Sequence, residues 1–423
     1  MVYKFNVQAS WQRHLLLMFW IGYRFFIFLF QIALAIYSIW NEKASMFLHG
    51  RIDHLKKISS WLKANDHSLI QIHCASLGEF ELSLPLYHSL KSKYPDHKFL
   101  FSFFSPSGYE FAKIPAGAAK SYIPIDRKRL VKDFIKLIKP KLVIFIKYEF
   151  WFNYLNELQK NNIPYGFVNI SKQNISANLK FKVAKELINK ADFVCTSNKD
   201  SKILFINNGL KCTGHFTDLR YSQSLQIQNE DYNLDIGLEE FFTKATTVIC
   251  GSVWKEDLMQ LENVINSIKN IHWVIAPHEI SDSMLKYLAE NFNPLSYFSD
   301  GRIKKGSTVL VVDTIGDLKY LYKYGKVNYV GGAFKTGLHN VIEPLYAGAP
   351  IVFGPNFENF PEAKYLIKND LAISIKSGKE FDSIIEKLNK GSLHLAAPKT
   401  LQNIKKDLSQ LTALVIEAYE SKS

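Results

Sequence analysis

Cysteine is scarce in this chain: four residues in 423, at positions 74, 195, 212 and 250, with no C-x-x-C pair. That excludes a disulfide scaffold and points to a reducing compartment. No Cys/His cluster has metal-ligand spacing and H-E-x-x-H is absent, so no metal is expected. No G-x-G-x-x-G follows the first strand of either half, and G-x-x-x-x-G-K-[ST] and G-x-S-x-G are also missing. Dinucleotide, P-loop and serine-elbow chemistries are therefore without support, and no cofactor is expected. Low-complexity tracts and fixed-period repeats are lacking too. Acidic residues are in the minority, 39 Asp and Glu against 52 Lys and Arg, which leaves a formal charge of +13. Such a balance suits an anionic partner: nucleic acid, a membrane surface or a phosphorylated substrate. With no helix-turn-helix, zinc finger or aromatic RNA-binding signature, nucleic acid rests on charge alone and is not expected.

What the chain does have is apolar mass. Hydrophobic residues make up 47% and aromatics 14%, enough to bury more than one core and too much for a disordered chain. The length suggests two domains. Leu15 to Trp40 is a run of 26 residues whose one charge is Arg24. A helix of that length can cross a bilayer core of about 30 Å. No small-residue cleavage site follows, which argues against a signal peptide. Two membrane readings stand: a spanning anchor, or a helix in the interface with Arg24 and Gln31 facing headgroups. The plain alternative is a core helix. Residues 1–60 carry seven Lys/Arg against two Asp/Glu, and the basic residues after Trp40 suit the cytoplasmic side.

Downstream, short apolar runs alternate with amphipathic stretches. Strands are predicted at Leu69–Ala75, Lys98–Phe104, Leu142–Lys147, Pro164–Asn169 and Phe193–Thr196. Helical stretches such as Glu81–Lys93 and Ala177–Lys190 lie between them. Leu225–Thr243 is polar and reads as an interdomain connection. Strands resume at Thr247–Gly251, His272–Ala276, Thr308–Val312, Val327–Gly331 and Pro350–Gly354. This βαβα rhythm predicts parallel sheets covered on both faces, and two such halves are expected to place ligands at the carboxyl ends of their strands. The expected division is an anchor over 1–41, a Rossmann-like domain over 42–225, a linker over 226–243 and a second Rossmann-like domain over 244–423.

Chemistry-bearing residues gather at the predicted strand ends. In His73-Cys74-Ala75-Ser76-Leu77-Gly78-Glu79, a strand runs into a small-residue turn, and Glu79 stands at the start of a helix. A carboxylate there can cap the helix or act as a general base aimed into a cleft. In Gly331-Gly332-Ala333-Phe334-Lys335-Thr336-Gly337-Leu338-His339-Asn340-Val341-Ile342-Glu343-Pro344, a double glycine leads through a loop to a helix expected near Asn340. Its N–H groups can bind phosphate, and Glu343 can accept from ribose hydroxyls. Smaller clusters follow other strands: Gly251-Ser252-Val253-Trp254, Pro277-His278-Glu279 and Asp313-Thr314-Ile315-Gly316-Asp317.

Taken in order, these motifs resemble the Kdo transferases, membrane-anchored glycosyltransferases that move 3-deoxy-D-manno-octulosonic acid (Kdo) from CMP-Kdo to the lipid A precursor of lipopolysaccharide. The resemblance runs from I-H-C-A-S-L-G-E through Y-E-F-W-F-N at 148–153, P-H-E, D-T-I-G-D-L and G-G…H-N-x-x-E-P to G-P-N-F-x-N-F at 354–360. It implies a GT-B fold, two Rossmann-like domains with acceptor on the first and donor on the second, and the cytoplasmic face of the inner membrane. It implies Glu79 as catalytic base of an inverting transfer. It implies cytidylate contacts at Pro277, His278, Ile315, Gly316, Asp317, Asn340, Val341, Ile342 and Glu343. Glu149 falls in the family's E-x-W motif, and Arg220 in a stretch similar to D-x-R-F. Ser252 and Lys335 are further cleft candidates. His278 stands where many members carry Arg. The alternatives are a GT-B transferase with a UDP-sugar donor, or a non-catalytic membrane-bound protein that binds nucleotide sugars.

Overall fold

The computed structural model describes residues 2–63, 68–147, 149–171, 182–228, 230–335, 337–393 and 401–422. They form two compact units, Met1–Leu219 with Asn403–Ser423, and Arg220–Gln402. The chain leaves the first unit at Leu219 and returns to it for the closing helix, Leu401–Glu420.

The first unit holds a sheet of seven parallel strands: β1 Leu69–Cys74, β2 Lys98–Phe103, β3 Ala119–Tyr122, β4 Leu142–Ile146, β5 Tyr165–Ile170, β6 Phe193–Thr196 and β7 Gly214–His215, in the order β3-β2-β1-β4-β5-β6-β7. Ile70 pairs with Phe99 on one side and Leu142 on the other. Residues of β1, β2 and β4 are buried along their whole length, as expected of strands covered on both faces. Alternation sorts them: Val143 and Phe145 join one core cluster, and Leu142, Ile144 and Ile146 the other. The closing helix adds Leu411, Val415 and Tyr419 to the second cluster.

The second unit repeats the plan with β8 Thr246–Val253, β9 Ile271–Pro277, β10 Leu295–Tyr297, β11 Val309–Val311, β12 Val327–Val330, β13 Ile351–Phe353 and β14 Ala372–Ser374, in the order β10-β11-β9-β8-β12-β13-β14. All its pairings are parallel. Each predicted strand has a counterpart. The four not predicted, β3, β7, β10 and β14, are two to four residues long and lie at or next to sheet edges. Such segments are too short to show a pattern.

The passage between units falls at Leu219–Arg220, before the polar stretch expected to connect them. That stretch carries a helix, Ile236–Lys244, which buries Leu238, Phe241 and Phe242 in the second unit. The three apolar positions follow i, i+3, i+4 spacing, which the surrounding acidic residues mask in a composition count. Residues 177–181 of the predicted Ala177–Lys190 helix lie outside the described residues, and the helix runs over Lys182–Asn189.

The N-terminal apolar segment is helical within Val2–Tyr37. Met18–Tyr37 is long and apolar enough to cross a membrane. Ile27 is buried with Phe47 and Ile125, while Phe19 and Tyr23 set their rings edge-on against Phe152 at 5.1 and 4.9 Å.

Candidate active site

Each sheet has a switch point. In the first unit successive strands run outward as β1, β2, β3, and β4 then starts on the other side of β1. In the second unit the switch lies between β8 and β12, and β11 also doubles back between β10 and β9. The loops leaving the two strands at such a point diverge and open a crevice at the carboxyl edge. Several of the expected residues stand at these two crevices, and others at the ends of β9 and β11.

In the first unit, β1 leads through Ala75 and Ser76 into the helix Leu77–Lys93. Ser76 caps that helix, its Oγ accepting from the Glu79 N–H at 3.4 Å. Glu79 turns back, and its Oε2 accepts from the Ala75 N–H at 2.6 Å. Glu79 thus meets the capping expectation, and its carboxylate lies at the carboxyl edge of β1. Burial raises its pKa above the ordinary glutamate value. The Lys147 charge and the Ala75 N–H oppose that rise, Glu149 adds to it and His73 opposes it.

Glu149 arrives from the end of β4. Its Oε2 accepts from Trp151 Nε1–H at 2.8 Å and lies 3.1 Å from Nε2 of His73. His73 is 1% exposed, on β1. Its Nδ1 is 3.0 Å from Ser102 Oγ, which accepts from Gln71 Nε2 at 2.8 Å, and Gln71 Oε1 accepts from the Tyr154 hydroxyl at 2.6 Å. One proton arrangement satisfies this row: Ser102 donates to Nδ1, and Nε2–H donates to Glu149. Four buried polar side chains in a sheet interior are costly unless paired, and each here is paired.

In the second unit, Gly331 and Gly332 follow β12. Gly331 N–H donates to Gly251 O at 2.9 Å, and a Cβ on Gly331 would run into the Ser252 carbonyl and lie 2.6 Å from Val253 Cα. Only glycine permits this approach of two backbones. Ser252 itself adopts φ +53 and Gly332 φ +95. Asp257, fully buried, holds the arrangement. Its carboxylate accepts from Trp254 N–H and Gly332 N–H, both at 2.9 Å, and from the Tyr329 hydroxyl at 2.7 Å.

Above this base three rings meet. His278 stacks on His339 with centroids 4.1 Å apart, and on Trp254 at 4.6 Å. Trp254 Nε1–H donates to His339 Nε2 at 2.8 Å. Burial first, and then the neighbouring His278, push the His339 pKa down to about 4. A neutral ring is what an accepting Nε2 requires. Lys335 stands over the Trp254 ring at 4.2 Å and pairs with Glu256 at 3.4 Å.

Residues 48–223 match the family described as 3-deoxy-D-manno-octulosonic-acid transferase (Kdo transferase). A 3-deoxy-D-manno-octulosonic acid transferase of Rickettsia felis is 27% identical over 334 residues, 74% of this chain and 70% of its own. One of Chlamydia pneumoniae is 28% identical over 313 residues, 70% of this chain and 71% of its own. Over these stretches the chain is similar to the Kdo transferases. It is a glycosyltransferase. The fold has wider company: a Listeria monocytogenes protein assigned as a UDP-N-acetylglucosamine 2-epimerase superposes with a TM-score of 0.59 at 11% identity, over 84% of this chain and 98% of its own.

Of the residues expected at the site, Glu79 and Glu149 come together at the first crevice, and Ser252, His278 and Lys335 lie near the second. Asp317, Ile315 and Gly316 follow β11. Asp317 Oδ1 accepts from the Tyr232 hydroxyl at 2.8 Å, Ile315 is exposed, and Gly316 takes φ +95. Pro277 is the buried last residue of β9.

The helix expected near Asn340 is corrected by the structure. Residues 337–340 have no regular secondary structure, and a 3-10 turn begins only at Glu343 and ends at Ala347. Pro344 favours such a helical start, but Gly348 in the left-handed region closes it after five residues. Asn340 Oδ1 accepts from Ile342 N–H at 3.1 Å, and its Nδ2 donates to Glu343 Oε1 at 3.0 Å. Val341 and Ile342 are buried, so their main chain is what a ligand can meet. Arg220 is held by Glu362 at 2.8 Å. Tyr148 and Thr336 of the quoted motifs lie outside the described residues. Sequence reasoning passed over Asp257; its signal was an acid three residues after Trp254, the position from which a side chain reaches back to a helix start.

Proposed function

We propose that this chain transfers Kdo from CMP-Kdo onto the lipid A precursor, with inversion, at the cytoplasmic face of the inner membrane. The observation that carries the reading is Glu79: a carboxylate fixed by the Ala75 N–H at the carboxyl edge of the first sheet, with its pKa raised by burial, within the stretch that matches the Kdo transferase model. A raised carboxylate pKa brings the base closer to that of the proton it must take. Glu79 accepts the proton of the acceptor sugar hydroxyl as that oxygen attacks the anomeric carbon of Kdo. The bond to CMP breaks on the opposite face, and the electron pair leaves with the phosphate. The Glu149 carboxylate, oriented by His73 and the Trp151 N–H, faces the positive charge that develops on the sugar ring.

On the second unit, CMP lies across the strand ends. The main chain after Pro277 and around Val341 and Ile342, with the Asn340–Glu343 pair, supplies its polar contacts. Asp317 adds a further acceptor beside Ile315 and Gly316. Lys335 exchanges Glu256 for the departing phosphate, a charge-assisted contact that strengthens as the bond breaks. Ser252 and Arg220 line the approach.

The test is to incubate the purified full chain with CMP-Kdo and the tetraacylated lipid A precursor and to weigh the lipid products. Lipid heavier by whole Kdo units, with matching CMP release, is the expected result. Unchanged lipid with CMP-Kdo but glycosylated lipid with a UDP-sugar would overturn the donor assignment.

A further inference from the structure

We infer that Tyr154, Gln71 and Ser102 are positioning residues for the transfer: they fix His73 as the tautomer with its proton on Nε2 and so aim that N–H at Glu149, with Tyr154 in control from the far end of the row. The row lies inside the core of the first sheet. Gln71 and His73 are two apart on β1 and share a face. Ser102 of β2 is the ladder partner of His73. On β4 the partners of Gln71 and His73 are Val143 and Phe145, both in the apolar core. Gln71, Ser102 and Tyr154 are fully buried. Apolar side chains at 71 and 102 would fill this space and need no partners. What they would not supply is a hydrogen bond to Nδ1 of His73.

The direction of the row is set at its far end. The Tyr154 hydroxyl has one proton to give, and Gln71 Oε1 at 2.6 Å is its acceptor. With the carbonyl oxygen spent there, Gln71 turns its amide N–H to Ser102 Oγ at 2.8 Å. Ser102, already accepting, gives its own proton to His73 Nδ1 at 3.0 Å. An accepting Nδ1 leaves the ring proton on Nε2, 3.1 Å from Glu149 Oε2. Among the described residues, any reversal strands a buried proton. Gln71 turned over leaves the Tyr154 proton without an acceptor. A proton on Nδ1, with Gln71 still donating, leaves that of Ser102 without one.

Both ends of the row belong to one short stretch of chain, since Glu149, Trp151 and Tyr154 lie within six residues after β4. Trp151 Nε1–H donates to Glu149 Oε2 at 2.8 Å. Tyr154 is held by its own N–H, which donates to Asp126 Oδ1 at 2.9 Å, and by Phe145, whose ring lies edge-on at 6.2 Å. Side chains of β1 and β2 thus close a loop that starts and ends on the 149–154 stretch. A shift of that stretch would break the row at one end or the other. The bearing of this on the reaction rests on the role given to Glu149 above.

The experiment uses the full chain with isotope-labelled histidine and reads the two ring nitrogens of His73 by NMR, identified by their loss in His73→Asn. One form is expected, protonated at Nε2 and bare at Nδ1. Glu149→Gln makes the near end indifferent, because an amide can donate or accept. His73 should keep the same form there, since the far end still dictates it. Glu149→Gln with Tyr154→Phe removes both cues, and the two tautomers should then mix. A mixture already in Glu149→Gln would give the choice to the carboxylate and overturn the inference. So would a single unchanged form in the double variant. If Tyr154→Phe does not fold, Glu149→Gln with Ser102→Ala makes the same comparison with the same expected outcome. None of these readouts needs CMP-Kdo or an acceptor, so failure of the transfer reading and failure of this inference are told apart. In the reaction, Ser102→Ala should lower kcat by roughly tenfold or more with acceptor KM unchanged, and Ser102→Thr, which keeps the hydroxyl, should restore most of it. Equal kcat in Ser102→Ala and the unaltered chain would remove the row from the reaction.

Discussion

His73 Nε2 and Glu149 Oε2 lie 3.1 Å apart, joining the end of β1 to the end of β4 across the point where the first sheet reverses. The contact ties a strand residue with 1% exposure to a half-buried carboxylate beside Glu79. It links the two strand ends of the first unit's crevice electrostatically.

The first consequence concerns Glu79 itself. Glu79→Gln keeps the side-chain acceptor for Ala75 N–H and removes the base. Turnover should fall by about 10²–10⁴, with the melting temperature little changed. CMP release under saturating donor measures the first, and circular dichroism the second. A variant with near-normal turnover would end the assignment.

Acid sensitivity follows from the raised Glu79 pKa. The base works only when deprotonated, so activity should fall on acidification at a pH above the ordinary glutamate range. Glu149 contributes to that rise. Glu149→Gln removes a like charge, stabilises ionised Glu79 and should move the acidic limb of kcat to lower pH. A limb that stays put or moves upward would show that the limb belongs to another group.

His73→Ala should leave Ser102 with one partner fewer and Glu149 without the ring. Loss of a buried hydrogen-bonding partner typically costs about 1–3 kcal/mol, read by urea unfolding. A drop in kcat that exceeds any change in acceptor KM would assign His73 a positioning role rather than a purely structural one.

On the second unit, His339 is pushed down to about 4 by burial and by His278. His278→Gln removes the like-charged neighbour, and the His339 midpoint should rise. Imidazole NMR titration reads this directly. An unchanged or lower midpoint would show that His278 does not act on it.

Gly331→Ala tests the backbone approach under the rings. Its methyl would meet the Ser252 carbonyl and Val253 Cα, both main-chain atoms with little freedom to yield. CMP affinity, measured by calorimetry, should fall at least tenfold, an effect of about 1.4 kcal/mol or more. Unaltered CMP binding would place the nucleotide away from this loop.

Much of the fold was legible because parallel strands buried on both faces read as unbroken apolar runs. The proposed site residues Glu79, His278 and Glu343 follow the ends of such runs. The helix at Asn340 was misread because Pro344 and the acid before it look like a helix start, whereas Gly348 halts the turn after five residues. Asp257 escaped notice because its partners, Tyr329 and Gly332, are more than seventy positions away. The docking of the N-terminal helix was likewise hidden, since Tyr23 reads as one aromatic among many until Asp126, 103 positions later, accepts its proton.

The return of the chain to the first unit at Asn403 sets an order of events during synthesis. Residues 220–402 form a compact unit from one continuous stretch, so its core needs nothing made later. The first unit, although it emerges earlier, lacks Leu411, Val415 and Tyr419 of its own core until residues 403–420 have been made. Removing residues 403–423 should therefore leave the core of the second unit whole while the first loses part of its own.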